Sequence, residues 1–317
     1  MDNIKIHFDN EVYSLVDEKY LSSFRSNHIS FMKSFYYKTY LHFCNSYSRK
    51  PLSENEFFSN MRRRRIQLYQ LCCPYCGAVA VSVHDKRLQK EAGTHYCFHC
   101  GRGSTVFNLR EQLSRFHRIA RINTLGLEAM KKERPEQEEW ILGYDCYQME
   151  IIEMASIIEV VFRDYFEALM HICNFGVNND YIRRVLRKHT ANDFMNIEKA
   201  NDNFKKAFGI DIRASLVEHV WDSLVDIVNM RNMMVHNNGI IDERFKQTKT
   251  YQRMMAKSDG RLLKLEKKDV DYYFSDIIIA VAVISDLYLR NYYKYRNIVV
   301  ANYYFNDGYS QIDNRDT

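Results

Sequence analysis

A mainly α-helical protein is what this sequence predicts, on three observations. Its 317 residues include only 3 prolines and 11 glycines, well below the usual ~5 % and ~7 %, so few turns are punctuated and helices can run long. Hydrophobic residues make up 46 % of the chain, enough to bury a sizeable core. From residue 140 onward, apolar residues recur three and four apart, the period of helices with one buried face.

Taken in order, residues 1–70 hold aromatic-rich stretches such as FMKSFYYKTYLHF at helical spacing, with no motif that assigns them a role. Residues 71–125 change character: a short alternating run, AVAVSV, lies between two cysteine pairs, and the helical stretch TVFNLREQLSRFHRIARINTL comes next. Together these predict a small zinc-ribbon-like module with a helix behind it. The segment KKERPEQEE at 131–139 is charged, nearly devoid of apolar residues and holds a proline, so it reads as a linker or exposed turn. A second domain is expected over 140–295, with a tail at 296–317.

Four helices fill that second domain. The first carries Ile151, Ala155, Ile158, Phe162, Tyr165, Leu169 and Ile172 on one stripe. The second runs from about Asn179 to Phe208 and stops at Gly209. Asp211 can cap a third, with Leu216, Val220, Leu224, Ile227 and Val228 inward, which ends at Asn237, Asn238 and Gly239. A polar loop of about 242–268 then leads to a fourth helix capped by Asp269; its IIIAVAVI stretch is apolar nearly all round, as suits a central helix. Four antiparallel helices of this kind make a bundle.

The N-terminus MDNIKIHFDN lacks a basic stretch followed by an apolar one. The longest aliphatic run, Ile277 to Ile284, is far short of the ~20 residues a bilayer requires. A cytoplasmic protein without membrane contact is the expectation, and in that compartment clustered cysteines read as metal ligands rather than disulfides. Cys73, Cys76, Cys97 and Cys100 give two C-x2-C knuckles, each followed by a glycine, Gly77 or Gly101, that lets the backbone turn tightly. Such a set encloses one tetrahedral zinc and leaves no open position, so the ion would be structural. Cys72 could replace Cys73 in a wider register, and His95 or His99 could compete for a ligand position.

Charge is uneven. Residues 61–125 hold 12 Lys/Arg against 3 acids, a field that suits a phosphate backbone, although the run Arg62 to Arg65 also fits a solvated helix face.

At the end of the third helix, NMRNMMVHNNG (229–239) sets Arg231 and His236 among methionines where apolar residues would pack as well. Five residues apart on a helix they point roughly 140° from each other, so both face one ligand only if the helix ends or bends between them. R-N-x3-H in this place, followed by NNGIID, resembles the HEPN superfamily, whose signature is R-x4-6-H with a polar residue often following the arginine. The resemblance covers about residues 145–295. It implies a metal-independent endoribonuclease of the antiviral-defence or toxin type. Arg231, Asn232 and His236 would be its catalytic residues and RNA its substrate, with two chains meeting as a homodimer through the bundle. The residue types suit that chemistry, since histidine titrates near neutral pH and arginine stays charged. On the first helix Ser156, Glu159 and Arg163 form a polar stripe; Glu159 could orient Arg231 or His236, or simply pair with Arg163. Two other functions fit the same chain: a catalytically silent HEPN scaffold that binds RNA or a protein, and a DNA-binding regulator built on the zinc module.

Overall fold

The computed structural model describes residues 26–302, apart from 64, 78, 86–96, 98–99, 138, 175–183, 185, 187 and 189–192. The chain is mainly helical and falls into two compact units, one of residues 1–104 with 292–317 and one of residues 105–291.

In the first unit, α1 (Ser26–Ser46) and α2 (Glu54–Arg62) precede a hairpin of β1 (Ile66–Cys72) and β2 (Val79–Asp85). The strands pair antiparallel, from Ile66 opposite Asp85 to Cys72 opposite Val79. The alternating residues of AVAVSV thus form a strand as expected, while β1, within a region expected to be helical up to residue 70, is a correction. IQLYQL does not alternate strictly, and pairing with β2 decides its conformation. The aromatic stretch has a purpose here: Tyr36, Tyr40, Cys44, Phe57, Met61 and Ile66 make one buried cluster, with the Tyr40 and Phe57 rings 4.5 Å apart. Buried phenols need partners. The Tyr37 hydroxyl donates to the Leu52 carbonyl at 2.9 Å, and the Leu52 amide donates to the Tyr40 hydroxyl at 3.2 Å. At the start of α2 the Glu56 carboxylate accepts the Ser53 amide at 3.0 Å, satisfying an N-cap donor.

The second unit begins with α3 (Thr105–Glu133) and α4 (Glu139–Cys173). A 3₁₀ turn (Asp193–Met195), α5 (Ile197–Phe208) and α6 (Ile212–Ser215) come next, then α7 (Glu218–His236). After it come α8 (Glu243–Lys246), α9 (Lys249–Met254) and α10 (Lys267–Asn302), whose residues from Tyr292 on belong to the first unit. The first-helix stripe is buried as expected, with Ile151, Ile158, Phe162, Tyr165, Leu169 and Ile172 all at most 3 % exposed. Tyr165 stacks on Tyr288 of α10 at 4.3 Å and hydrogen-bonds Ser285 at 2.9 Å, which ties the two helices through both ring and hydroxyl.

Several boundaries move. The helix behind the cysteines, expected to share a module with them, belongs to the helical unit: Leu109, Leu113 and Phe116 of α3 are buried, and the Phe116 ring stacks on Phe274 of α10 at 4.1 Å. Inside the unit, Asn123 of α3 donates to Glu150 of α4 at 2.9 Å and to the Cys146 carbonyl at 3.0 Å. The charged segment at 131–139 is therefore a turn between two packed helices and not a border between domains. Asp211 caps only α6, accepting the Ala214 amide at 3.1 Å. Leu216 then turns extended and α7 starts afresh at Glu218. Asp269 lies inside the first turn of α10, where its carboxylate reaches back to the Glu266 amide at 2.9 Å. The loop at 242–268 contains α8 and α9, because Phe245, Met254, Leu263 and Leu265 bury their side chains. Much of the second expected helix lies outside the described residues, as do residues 303–317 of the tail; its described end stops at Gly209, left-handed with φ 70°.

Among the described residues α10 is the helix long and apolar enough, by length and composition, to match a membrane span. Within the helical unit its Ile277, Ala280, Val281 and Ile284 are buried, and its buried Asp276 accepts a hydrogen bond from Ser223 of α7. Truncating Phe116 to Ala should lower the unfolding free energy by about 3–5 kcal/mol, as for other buried aromatic rings. Urea denaturation followed by circular dichroism checks this; a change within error would mean α3 is not part of the helical unit.

Candidate functional site

In the first unit the four expected cysteines converge. The Cys73 and Cys100 sulfurs are 3.7 Å apart, Cys76 and Cys97 3.6 Å, and all four lie within 4.8 Å of one another. Four thiolates around one tetrahedral ion with ~2.3 Å bonds would sit about 3.8 Å apart, so the cluster fits such an ion. The knuckles form as their glycines allow. Gly77 (φ 69°) and Gly101 (φ 71°) are left-handed, and their amides donate to the carbonyls of Cys73 at 2.8 Å and Cys97 at 2.9 Å. The Cys100 amide points at the Cys97 sulfur from 3.5 Å, a contact that stabilises a thiolate. Arg102 lies over the Tyr75 ring at 4.5 Å.

The register is resolved in favour of Cys73. Cys72 is outside the cluster, 4 % exposed, and burial pushes its thiol up to about 12, which keeps it protonated. Its carbonyl accepts a hydrogen bond from the Tyr292 hydroxyl. His95 and His99 lie outside the described residues.

In the helical unit the residues of the R-N-x3-H stretch border a cleft of about 560 Å³. Asn229, Asn232, Met233 and His236 line it from α7 at offsets of three, four and seven, which is one helix face. Arg231 lies on another face, yet it lines the cleft too. The helix does not end between Arg231 and His236, where the sequence reading required an end or a bend. Length replaces curvature: the half-buried Arg231 side chain reaches round α7, and its guanidinium donates to the Asn232 side-chain carbonyl oxygen at 3.1 Å. Asn232 thereby holds the cation on the cleft side. His236 is exposed in the last turn of α7.

The chain beyond His236 shapes the rest of the cleft. Asn238 (φ 52°) and Gly239 (φ 76°) are left-handed and turn the backbone back on itself. The Tyr144 hydroxyl, near the start of α4, donates to the Gly239 carbonyl at 3.2 Å. Asn237 donates to Asp242 at 2.6 Å, and Asp242 caps α8 by accepting the Phe245 amide at 2.7 Å. That amide bond, helped by Asn237 and by the Arg244 charge, holds the Asp242 carboxyl below its ordinary range. Opposite α7, Arg244, Phe245 and Thr248 complete the wall. Asn229 is fixed by donating to Thr250 at 2.9 Å. Apart from the Asp242 carboxylate, which is engaged by Asn237 and the Phe245 amide, the cleft combines two arginines that cannot lose their charge, one histidine and several amides, a set suited to an anion with several oxygens.

Glu159 is not brought to it. The Tyr144 to Gly239 contact shows that α4 and α7 run antiparallel, and Glu159 lies fifteen residues beyond Tyr144, about 22 Å of helical rise from the α7 end. Glu159 pairs instead with Arg163 at 2.9 Å on the surface. Arg244, by contrast, is a site residue that the motif does not include. A signal for it exists in the sequence: Asp242 three residues before Phe245 is an N-cap, and a capped turn directly after NNG fixes where Arg244 is presented.

Gly239→Ala tests the turn. An added Cβ would lie 2.0 Å from the Tyr144 hydroxyl oxygen, at a φ that alanine resists. A loss of about 1–3 kcal/mol by urea denaturation is expected for strain of this kind; a neutral outcome would show that the α7 end tolerates another path. Compared with known proteins, the chain matches no family model, no curated protein and no solved structure.

Proposed function

We propose that the helical unit is a metal-independent endoribonuclease of the HEPN type, with the Arg231 and His236 cleft as its active site. The observation that carries this reading is that Arg231, Asn232 and His236 of the R-N-x3-H stretch border one cleft, together with a second cation, Arg244. His236 abstracts the proton of a ribose 2'-hydroxyl, and the resulting oxygen attacks the adjacent phosphorus. The P–O5' bond breaks as the P–O2' bond forms, leaving a 2',3'-cyclic phosphate and, once the departing oxygen takes up a proton, a 5'-hydroxyl. Arg231, oriented by Asn232, neutralises the two non-bridging oxygens in flight, and Arg244 holds the strand. A second copy of the chain would supply a second histidine for the leaving oxygen; the exposed Val235 and Ile240, on either side of His236, support such a homodimer. By this reading the protein acts as a toxin or in antiviral defence.

The four-cysteine cluster is proposed to hold one structural zinc, since four thiolates close the tetrahedron and leave no position for substrate. Elemental analysis of protein purified without chelator should give one zinc per chain. Cys97→Ser should lose it while the circular dichroism of the helical unit is kept. Protein that carries no zinc would exclude this assignment.

Cleavage is tested with total RNA or tRNA, and with end-group analysis of the products. His236→Ala should lower the rate on the order of 100-fold or more, within the ~10² to 10⁴ typical of a positioned acid or base. Arg231→Lys should also fail, because an ammonium cannot reproduce the guanidinium fork. Activity should persist in EDTA. If His236→Ala cuts as fast as the parent, or Mg²⁺ is required, the mechanism is wrong and a silent HEPN scaffold replaces it.

A further inference from the structure

The first unit carries a charge asymmetry that the cleft does not use. Among its described residues eight Lys/Arg are exposed, against two exposed acids, Glu54 and Glu56, and Glu56 is engaged at the start of α2. Arg49, Lys50, Arg62, Arg63 and Arg65 lie at the two ends of α2, whose nine residues span about 12 Å. None of the five has an ion-pair partner among the described residues. In the helical unit Arg115, Arg163, Arg213, Arg253 and Arg290 pair with carboxylates, while Arg118 and Arg121 of α3, like Arg231 and Arg244 at the cleft, have no ion pair among the described residues. The basic stretch of 61–125 thus divides. Its α3 part belongs to the helical unit, where Arg115 meets the buried Glu153 at 3.3 Å, while Arg62, Arg63 and Arg65 belong to the first unit. Beside Arg49, Tyr47 is 49 % exposed and its ring leans on Phe43 at 4.7 Å, which steadies it facing solvent. Ser48, left-handed with φ 50°, turns the chain between the aromatic and the cations.

We infer that this face of the first unit binds a single-stranded nucleic acid. Arg62, Arg63 and Arg65 at one end of α2, with Arg49 and Lys50 at the other, take up successive phosphates. The exposed Tyr47 ring stacks on a base. Unpaired cations supply the affinity through counterion release, and a steadied aromatic beside them selects strands whose bases are not already stacked in a duplex. The inference stands apart from the nuclease reading, because it concerns another unit and other residues.

The test uses the full chain and 20-nucleotide fluorescent strands that 2'-hydroxyl attack cannot cut: single-stranded DNA, 2'-O-methyl RNA, and duplex DNA of the same sequence. Anisotropy titrations run over a range of salt. The single strands should bind more tightly than the duplex, and the two single-stranded arms tell which polymer is preferred. The Arg62→Ala/Arg63→Ala/Arg65→Ala variant should weaken binding about tenfold or more and flatten the slope of log K against log salt by about 2, at ~0.7 per phosphate. Tyr47→Ala should cost about fivefold or more at an unchanged slope, as the loss of a stacked base does. Retained zinc and circular dichroism establish that the variants are folded. The inference is overturned if the triple variant matches the parent in affinity and slope, if Tyr47→Ala changes nothing, if the duplex binds better, or if Arg231→Ala rather than the triple variant abolishes strand binding.

Discussion

Everything in the cleft depends on how α7 stops. Helix α7 is buried over most of its circumference, with Val220, Trp221, Leu224, Ile227, Val228, Met230, Met233 and Met234 all closed off from solvent, and a helix so surrounded has little surface left for polar groups. Beyond its first turn solvent is reached mainly at its final turns, and what happens there is decided by backbone sterics. Two consecutive left-handed residues, Asn238 and Gly239, reverse the chain, and Tyr144 holds the reversal by its hydroxyl. The reversal brings the Asp242 cap, and with it Arg244 and Phe245, across from Asn232 and His236. Had the helix continued, those residues would have travelled away from Arg231 at 1.5 Å per step.

Much of this was legible in the sequence. The buried stripe of α4, the stop at Gly209, the NNG end of α7 and the four-cysteine knuckles rest on local rules: side-chain period, the steric freedom of glycine and asparagine, and ligand spacing. Arg231, Asn232 and His236 could be singled out because cations and amides sat where packing needed none. What escaped depends on contacts far along the chain. That α3 belongs with α4 follows from Phe116 meeting Phe274, residues 158 positions apart, and periodicity says only that such a helix has an apolar face. Of the two roles open to Glu159, the sequence could not choose the pairing with Arg163 for a related reason. A helical wheel gives direction about the axis and is silent on distance along it, and α4 is long enough for that distance to decide.

Charge is used in two ways in this chain. In the helical unit the buried Asp226 is answered by Arg253, which also reaches Asp222 at 3.2 Å, so a carboxylate removed from water keeps its counterion. Such a pair contributes to order within the fold and offers little field outside it. The first unit leaves guanidinium groups in solvent, where they add nothing to folding and their potential extends about a Debye length outward. Charge of the first kind shapes a protein. Charge of the second kind addresses something else.

One contact has a further consequence for how sequences of this kind can diverge. The Tyr144 hydroxyl occupies the space that a side chain at position 239 would need, only 2.0 Å from where a Cβ would stand. The two positions, 95 residues apart, are therefore a single steric choice. A phenol at 144 demands glycine at 239, and a residue with a side chain at 239 demands something shorter at 144. Across diverging descendants of this chain they should change together or not at all, and that covariation would mark the end of α7 even where the residues of the cleft itself had been replaced.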